Sequence, residues 1–320
     1  MILKTATALL SPAGNGSRLS ILIFHRVLAE PDPIFPGEPD ARRFDEILSW
    51  VGRWFRVLPL DEAASRLSAG TLPAGALAIT FDDGYADNAE IALPILQRHG
   101  MVATFFVATS FLDGGRMWND TVIEAVRGCS VEKLDLSDLG FGTYSLASFD
   151  ERRQAIESLL GQIKYREPGP RNQAVEAIAR RIGMALPDDL MMSSDQVRQL
   201  RHAGMQIGAH TCSHPILASL SDAQAMAEIV DGKDQLEKII GEPVRLFAYP
   251  NGKPGRDYLA KHAAMAEAAG FAAAVSTAPG VSSLKTDPFQ LPRFTPWDCQ
   301  PLKFGVRMLA NLLSAKPQTA

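Results

Sequence analysis

Short apolar runs alternate with amphipathic stretches along most of this chain. Residues 97–100 (Gln-Arg-His-Gly) lead into the run 101–107, 201–204 (Arg-His-Ala-Gly) into 205–209, and 268–270 (Ala-Ala-Gly) into 271–275. Each reads as a helix stopped by a glycine and followed by a strand. Further apolar runs at 19–24, 55–58, 76–81, 244–249 and 289–294 read as strands. Helical periodicity covers 41–50, 61–67, 86–98, 222–240, 256–269 and 302–313. Asp40 stands at an N-cap, Ser221 and Gln224 fit a capping box, and Pro94 predicts a kink. Repeated helix–glycine–strand units predict parallel strands with crossover helices. Seven or eight of them predict an α/β fold, a closed or nearly closed (β/α) barrel.

One segment breaks the rhythm. Helical patterns occur at 121–126, 151–163 and 173–182, but no convincing strand lies between Ser110 and about Met192. The expected organisation is an N-terminal extension over 1–18 and a barrel over 19–320, interrupted by a helical insertion at about 110–192. The insertion leaves from the C-terminal end of the strand at 102–107, the end that carries the active site in such barrels. It is therefore expected to cap a substrate groove. The apolar stretch before Ser11-Pro12 is short for a secretory signal, whose apolar core runs to about 7–15 residues. A short surface helix is expected there, with the cytoplasm as compartment.

Composition narrows the partners. The chain has 320 residues, 46% hydrophobic and 21% charged, with a formal net charge of −4. That balance and the lack of a Lys/Arg run exclude a basic nucleic-acid-binding surface. There is no apolar stretch of about 18 residues, so no transmembrane helix is expected. Three widely spaced cysteines suggest no disulfide framework.

The predicted C-terminal strand ends carry the candidate chemistry. The first ends at His25, and the strand at 76–81 at Asp82 and Asp83. The strand at 205–209 ends at His210-Thr211-Cys212-Ser213-His214, that at 244–249 at Tyr249-Pro250-Asn251-Gly252, and the last at Arg293. Three of the six histidines and an acid pair thus share one rim. His210 and His214, spaced i, i+4, can face one divalent metal, and with one carboxylate they form a ligand set suited to zinc or non-haem iron. Asp82 and Asp83 would point to opposite sides of a continuing strand, but Gly84 permits a sharp turn that brings both to one site. One acid would then hold the metal and the other serve as a base. Taken alone, the acid pair could instead cap the following helix. The Tyr249 backbone N–H, on the same rim, is a candidate oxyanion donor.

Thr80-Phe81-Asp82-Asp83-Gly84-Tyr85 and His210-Thr211-Cys212-Ser213-His214-Pro215 resemble the first two motifs of the polysaccharide deacetylase (NodB homology) family of carbohydrate esterases. The resemblance spans about 21–295, with the insertion least covered. It implies a distorted (β/α)7-type barrel that removes acetyl groups from N- or O-acetylated sugars with a divalent metal. It makes Asp82 the general base and Asp83, His210 and His214 the metal ligands, with Thr211 supporting the loop between the histidines. The cofactor implied is zinc, with cobalt, nickel, manganese or iron(II) as alternatives.

Two departures matter. Where many members carry Arg-x-Pro, this chain reads Ala248-Tyr249-Pro250, and where many carry a late Leu-x-His it reads Leu291-Pro292-Arg293. Both resemble the branch with poly-N-acetylglucosamine deacetylases, in which the acid histidine lies on the first strand. This implies His25 as general acid, with Arg293 paired to Asp82 in place of the missing arginine. The function expected is metal-dependent N-deacetylation of a glycan or glycan precursor, the alternatives being an O-acetyl esterase and a non-catalytic glycan-binding relative. Trp118 and Trp297 are candidates for groove walls, since sugar faces stack on aromatics. His99 and His202 read as structural helix-end residues, and His262 as a surface position on its helix.

Overall fold

A computed structural model describes residues 2–296, 298–314 and 318–320. Its central feature is an eight-stranded sheet of β1 (Ser20–Phe24), β2 (Arg56–Val57), β3 (Ala76–Phe81), β4 (Thr104–Val107), β7 (Gln206–Ala209), β8 (Leu246–Ala248), β9 (Ala273–Pro279) and β10 (Leu291–Arg293). Every pairing is parallel, in the order β1-β3-β4-β7-β8-β9-β10, with β2 added beside the start of β3. The ring closes past β10. The Ile23 N–H donates to the Phe294 carbonyl at 3.1 Å, and the Phe294 N–H donates to Ile21 at 2.8 Å. Seven strands therefore form the barrel, as expected.

Strands buried on both faces read as continuous apolar runs, and β1, β3 and β4 are buried throughout. The two-residue period sorts them. Ile21, Ala76, Ala78, Phe106, Leu246 and Val275 cluster in the interior, while Leu22, Leu77, Ile79, Phe105 and Phe247 pack toward the helices. Continuing that alternation along β3 puts Thr80 and Asp82 on the interior face. The barrel's apolar filling thus becomes polar at its C-terminal mouth.

The helices follow their caps. Asp40 accepts from the Arg43 N–H at 2.7 Å and starts helix Ala41–Trp54. Helix Asp222–Ile240 has the predicted bounds, opened by the Ser221/Gln224 capping box and closed at Gly241 with φ 71°. Pro94 falls where a π-helical turn, Asn88–Ala92, gives way to helix Leu93–Arg98. The wider turn accommodates the missing proline N–H. At the start of the chain, the expected helix is present over Ile2–Leu10 and packs against helix Pro301–Leu312. Among the described residues, no helix is long and apolar enough to cross a membrane.

The insertion differs from expectation in one respect. Besides helices Trp118–Gly128, Phe149–Ile163 and Pro168–Ile182, it contains an antiparallel hairpin of β5 (Lys133–Leu136) and β6 (Gly142–Ser145). These strands have four residues each, and along β5 only alternate positions are buried, a pattern too short to stand out. The subdomain has its own core, including Val122, Leu134, Ile156 and Leu159, into which Ile34 from the loop after β1 also packs. Asp32 of that loop is paired with Arg127 at 2.7 Å, so the loop and the insertion are tied together.

Candidate metal and hydrolytic site

The β3 ladder extends one step beyond the strand, as the Asp82 N–H donates to the Phe24 carbonyl at 2.9 Å. Asp83 then takes φ 76° and Gly84 φ 91°. The left-handed turn begins at Asp83 itself, one residue before the glycine assigned to it from sequence. A non-glycine residue there bears strain, and the result is that consecutive carboxylates reach one site instead of opposite faces.

Asp82 is held by the barrel. Arg293 Nη1 and Nη2 each donate to one Asp82 carboxylate oxygen at 2.7 Å, a bidentate pair. Arg293 Nε donates to the Ser276 carbonyl at 2.9 Å, which fixes the guanidinium plane. Burial alone would raise the Asp82 pKa, but the Arg293 and His210 charges outweigh it and hold the carboxyl below its usual range. The expected Arg293–Asp82 pairing is thus present.

Asp83 faces the two histidines. Its Oδ1 lies 3.4 Å from His210 Nε2 and 3.3 Å from His214 Nε2. Nδ1 of His210 lies 2.7 Å from the Ala248 carbonyl, which assigns it the proton and leaves Nε2 as the free donor atom. The donor atoms of Asp83, His210 and His214 all lie within 4.8 Å of one another. Two imidazole nitrogens and one carboxylate oxygen at this spacing fit a divalent cation with open positions. Electrostatics agree for two of the three. Burial raises Asp83, but His214 and His210 outweigh it and hold the carboxyl well below its usual range, while burial pushes the His214 imidazole down to about 3. An ionised carboxylate and a neutral imidazole are the metal-binding forms. His210 shifts the other way, because Asp82 and Asp83 outweigh its burial and raise it. That shift arises from the same negative charge that a cation would neutralise.

The 210–214 loop is held from helix Asp222–Ile240, a support that the sequence reading missed. Glu228 accepts the N–H groups of Cys212 and Ser213 at 2.9 and 2.8 Å. Gly232 is needed beside it, since a Cβ there would lie 2.7 Å from the Thr211 carbonyl carbon. Thr211 has φ 64° and its hydroxyl accepts from the His214 N–H, so it supports the loop as expected. Cys212 is turned away, toward Gln235. Glu228→Ala is expected to weaken metal affinity about 10–100-fold with little change in far-UV circular dichroism, as read by competitive chelator titration; unaltered affinity would remove Glu228 from this role.

Other assignments divide. His25 is exposed, and it lines the same cleft of about 480 Å³ as Asp82, Asp83, His210 and His214. Trp118, Asp120 and Lys164 of the insertion line the same cleft. Trp297 lies outside the described residues. Tyr249 is a correction. Its N–H donates to the Val275 carbonyl at 3.2 Å, its hydroxyl to Phe289 at 2.8 Å, and its ring stacks on Tyr258 at 3.9 Å. The ladder runs one residue further than the strand end suggested, leaving this N–H committed. Asn251, with φ 61°, lines the cleft instead, and its N–H makes no backbone hydrogen bond among the described residues. His262 is also corrected. It is fully buried, with Nδ1 accepting from the Leu259 N–H at 3.0 Å. His99 is structural, 3.0 Å from Asp45.

Asp120 was not anticipated. It is 4% exposed, accepts from the Tyr85 hydroxyl at 3.0 Å through Oδ1, and has no partner on Oδ2. Burial raises its pKa from 3.8 to about 7. The native state therefore holds this proton more tightly than the unfolded chain. The contribution to stability is full below about pH 4 and is lost as pH rises toward 7. Asp120→Asn keeps an acceptor for Tyr85 and removes the ionisation. It is expected to be more stable than the parent by roughly 1–3 kcal/mol at pH 8, with the gap closing at pH 4. Urea unfolding at both pH values checks this, and a pH-independent difference would contradict it.

The family follows from comparison with known proteins. The family model for polysaccharide deacetylase matches residues 69–137 and 171–274, more than half of the chain. The Bacillus subtilis (strain 168) protein YxkH is 20% identical over 269 residues, covering 83% of this chain and 67% of its own. The Streptococcus pyogenes deacetylase PplD, solved with acetate, aligns with a TM-score of 0.59 at 20% identity, over 92% of this chain and 98% of its own. IcaB from Ammonifex degensii aligns at 0.60 with 18% identity, over 95% and 99%. These likenesses show the shared fold, and the family match places both the acid pair and the His210–His214 loop within its span. The chain belongs to the polysaccharide deacetylase family.

Proposed function

We propose that this chain hydrolyses the acetamide of an N-acetylated sugar in a polysaccharide or glycan precursor, releasing acetate. The observation that carries this is the three-donor cluster with Asp82, held by Arg293, directly beside it. A divalent cation held by Asp83, His210 and His214, zinc foremost, would polarise the acetyl carbonyl and acidify a water. Asp82 is the base. Its carboxylate is ionised and oriented by Arg293, and Oδ2 lies 3.9 Å from His210 Nε2, next to the donor cluster. The Asn251 N–H, in place of Tyr249, is the backbone donor for the developing oxyanion. His25, which lines the same cleft, delivers the proton to the leaving nitrogen. An amine is a poor leaving group unless protonated, and this need favours the amide over the ester reading. The first-strand position of His25 is also what links the chain to the poly-N-acetylglucosamine deacetylase branch.

Acetate release tests the reading. Purified protein, stripped by chelator and reloaded with zinc, is expected to release acetate from tetra-N-acetylchitotetraose. Acetate from acetylated xylan alone would move the assignment to an O-acetyl esterase. No acetate from either, with metal bound, would favour a glycan-binding relative.

A further inference from the structure

A second cleft, of about 500 Å³, shares Trp118 with the first. Arg116 and Arg171 line it together with Ser213, the neighbour of metal ligand His214. Arg171 is only 8% exposed, and its Nε is buried without a hydrogen-bond partner. Among the described residues its guanidinium makes no ion pair, and its one recorded interaction is a stack on Trp118 at 5.2 Å. Arg116 likewise has no carboxylate partner, donating to Thr121 Oγ1 and the Pro187 carbonyl. The acid lining the cleft, Glu176, is paired with Arg180. A desolvated guanidinium without a counter-charge is costly, and burial lowers the pKa of Arg171. In a chain of net charge −4, a buried unpaired Arg171 with half-buried Arg116 beside it in one cleft calls for an anion from outside.

We infer that this cleft is an anion subsite of the same glycan groove, in which Arg171 and Arg116 hold a carboxylate or phosphate substituent carried by a sugar next to the acetylated one. Trp118 lines both clefts. A chain with its acetamide at Asp82 would pass this ring and set its neighbouring residue over Arg171. Arginine suits the task, since its planar fork matches either oxyanion. The inference rests on the glycan reading above and narrows it to acidic glycans.

Calorimetric binding to the zinc-loaded Asp82→Asn protein tests it without turnover. The probes are a hyaluronan tetrasaccharide, which alternates N-acetylglucosamine with glucuronate, and neutral tetra-N-acetylchitotetraose. The acidic probe is expected to bind at least tenfold tighter, with the preference shrinking between 50 and 500 mM salt. Arg171→Met should abolish the preference and leave the neutral probe within about threefold, while Arg171→Lys should keep part of it. Equal affinity of the unaltered pocket for both probes overturns the inference, and needs no Arg171 variant to fold. Equal loss of both probes in Arg171→Met also overturns it, reducing Arg171 to a prop for Trp118. Inorganic phosphate that binds as tightly as the acidic probe would reassign the cleft to a free anion. Acetate release is measured separately, so a failed deacetylase reading (no acetate from either) is distinct from a failed anion subsite.

Discussion

Asp82→Asn is expected to lower kcat for acetate release by about 10³-fold or more while the protein still binds its metal. An amide cannot accept the proton from an attacking water, and a positioned general base is worth roughly 10²–10⁴. Electrostatic assistance from Asp82 to neighbouring groups disappears as well, which sets the expectation near the upper end. The substitution also leaves Arg293 buried without its counter-charge, and breaking such a pair costs about 3–5 kcal/mol. Activity is therefore compared per folded molecule, with a thermal melt alongside. The pH profile carries the same signature. Arg293 and His210 depress the Asp82 pKa, so the native carboxylate contributes stability above the ordinary carboxylate range, and this is lost as pH falls through the depressed value. Arg293→Met should raise that value and move the acid limb of kcat/KM to higher pH. An Asp82→Asn enzyme with near-parental kcat would remove Asp82 as base.

His214→Ala is expected to remove activity by a different route, through the metal. Two remaining donors, Asp83 and His210, do not close a three-ligand set, and zinc affinity should fall by about 10²-fold or more. Chelation of the parent should reproduce the loss, and excess zinc should restore the parent fully and the variant only in part. The fold should tolerate the change, since the β-ring and its apolar clusters lie below the site. Kinetics at graded free zinc check this. A variant that saturates with zinc at the parental concentration would exclude His214 from the ligand set.

These predictions rest on residues that differed in how plainly the sequence displayed them. The acid pair and the histidine pair were legible because each follows an apolar run, where charge has no packing reason to be. Helix Asp222–Ile240 was legible to the residue because its capping box and terminal glycine are local signals. Glu228 was not, because its partners lie 15 and 16 residues away on the 210–214 loop and only the packed helix brings them together. Asp120 was hidden for the same reason, its partner Tyr85 being 35 residues distant. Tyr249 failed on register. An apolar run marks a strand but not the last residue whose N–H joins the ladder, and one step decides between a free and a committed donor. The hairpin of β5 and β6 escaped because four-residue strands carry too few periods to declare themselves.

The division of labour within Asp82–Asp83 is the claim on which the rest depends. Two adjacent carboxylates face one site, and the geometry separates them: Asp82 is bound to Arg293, Asp83 faces His210 and His214. Elemental mass spectrometry of metal bound per chain, in Asp82→Asn and Asp83→Asn after reloading with one equivalent of zinc, measures that division directly. Near-stoichiometric zinc in Asp82→Asn and almost none in Asp83→Asn is the result predicted. The reverse pattern, or zinc retained equally by both, would contradict it.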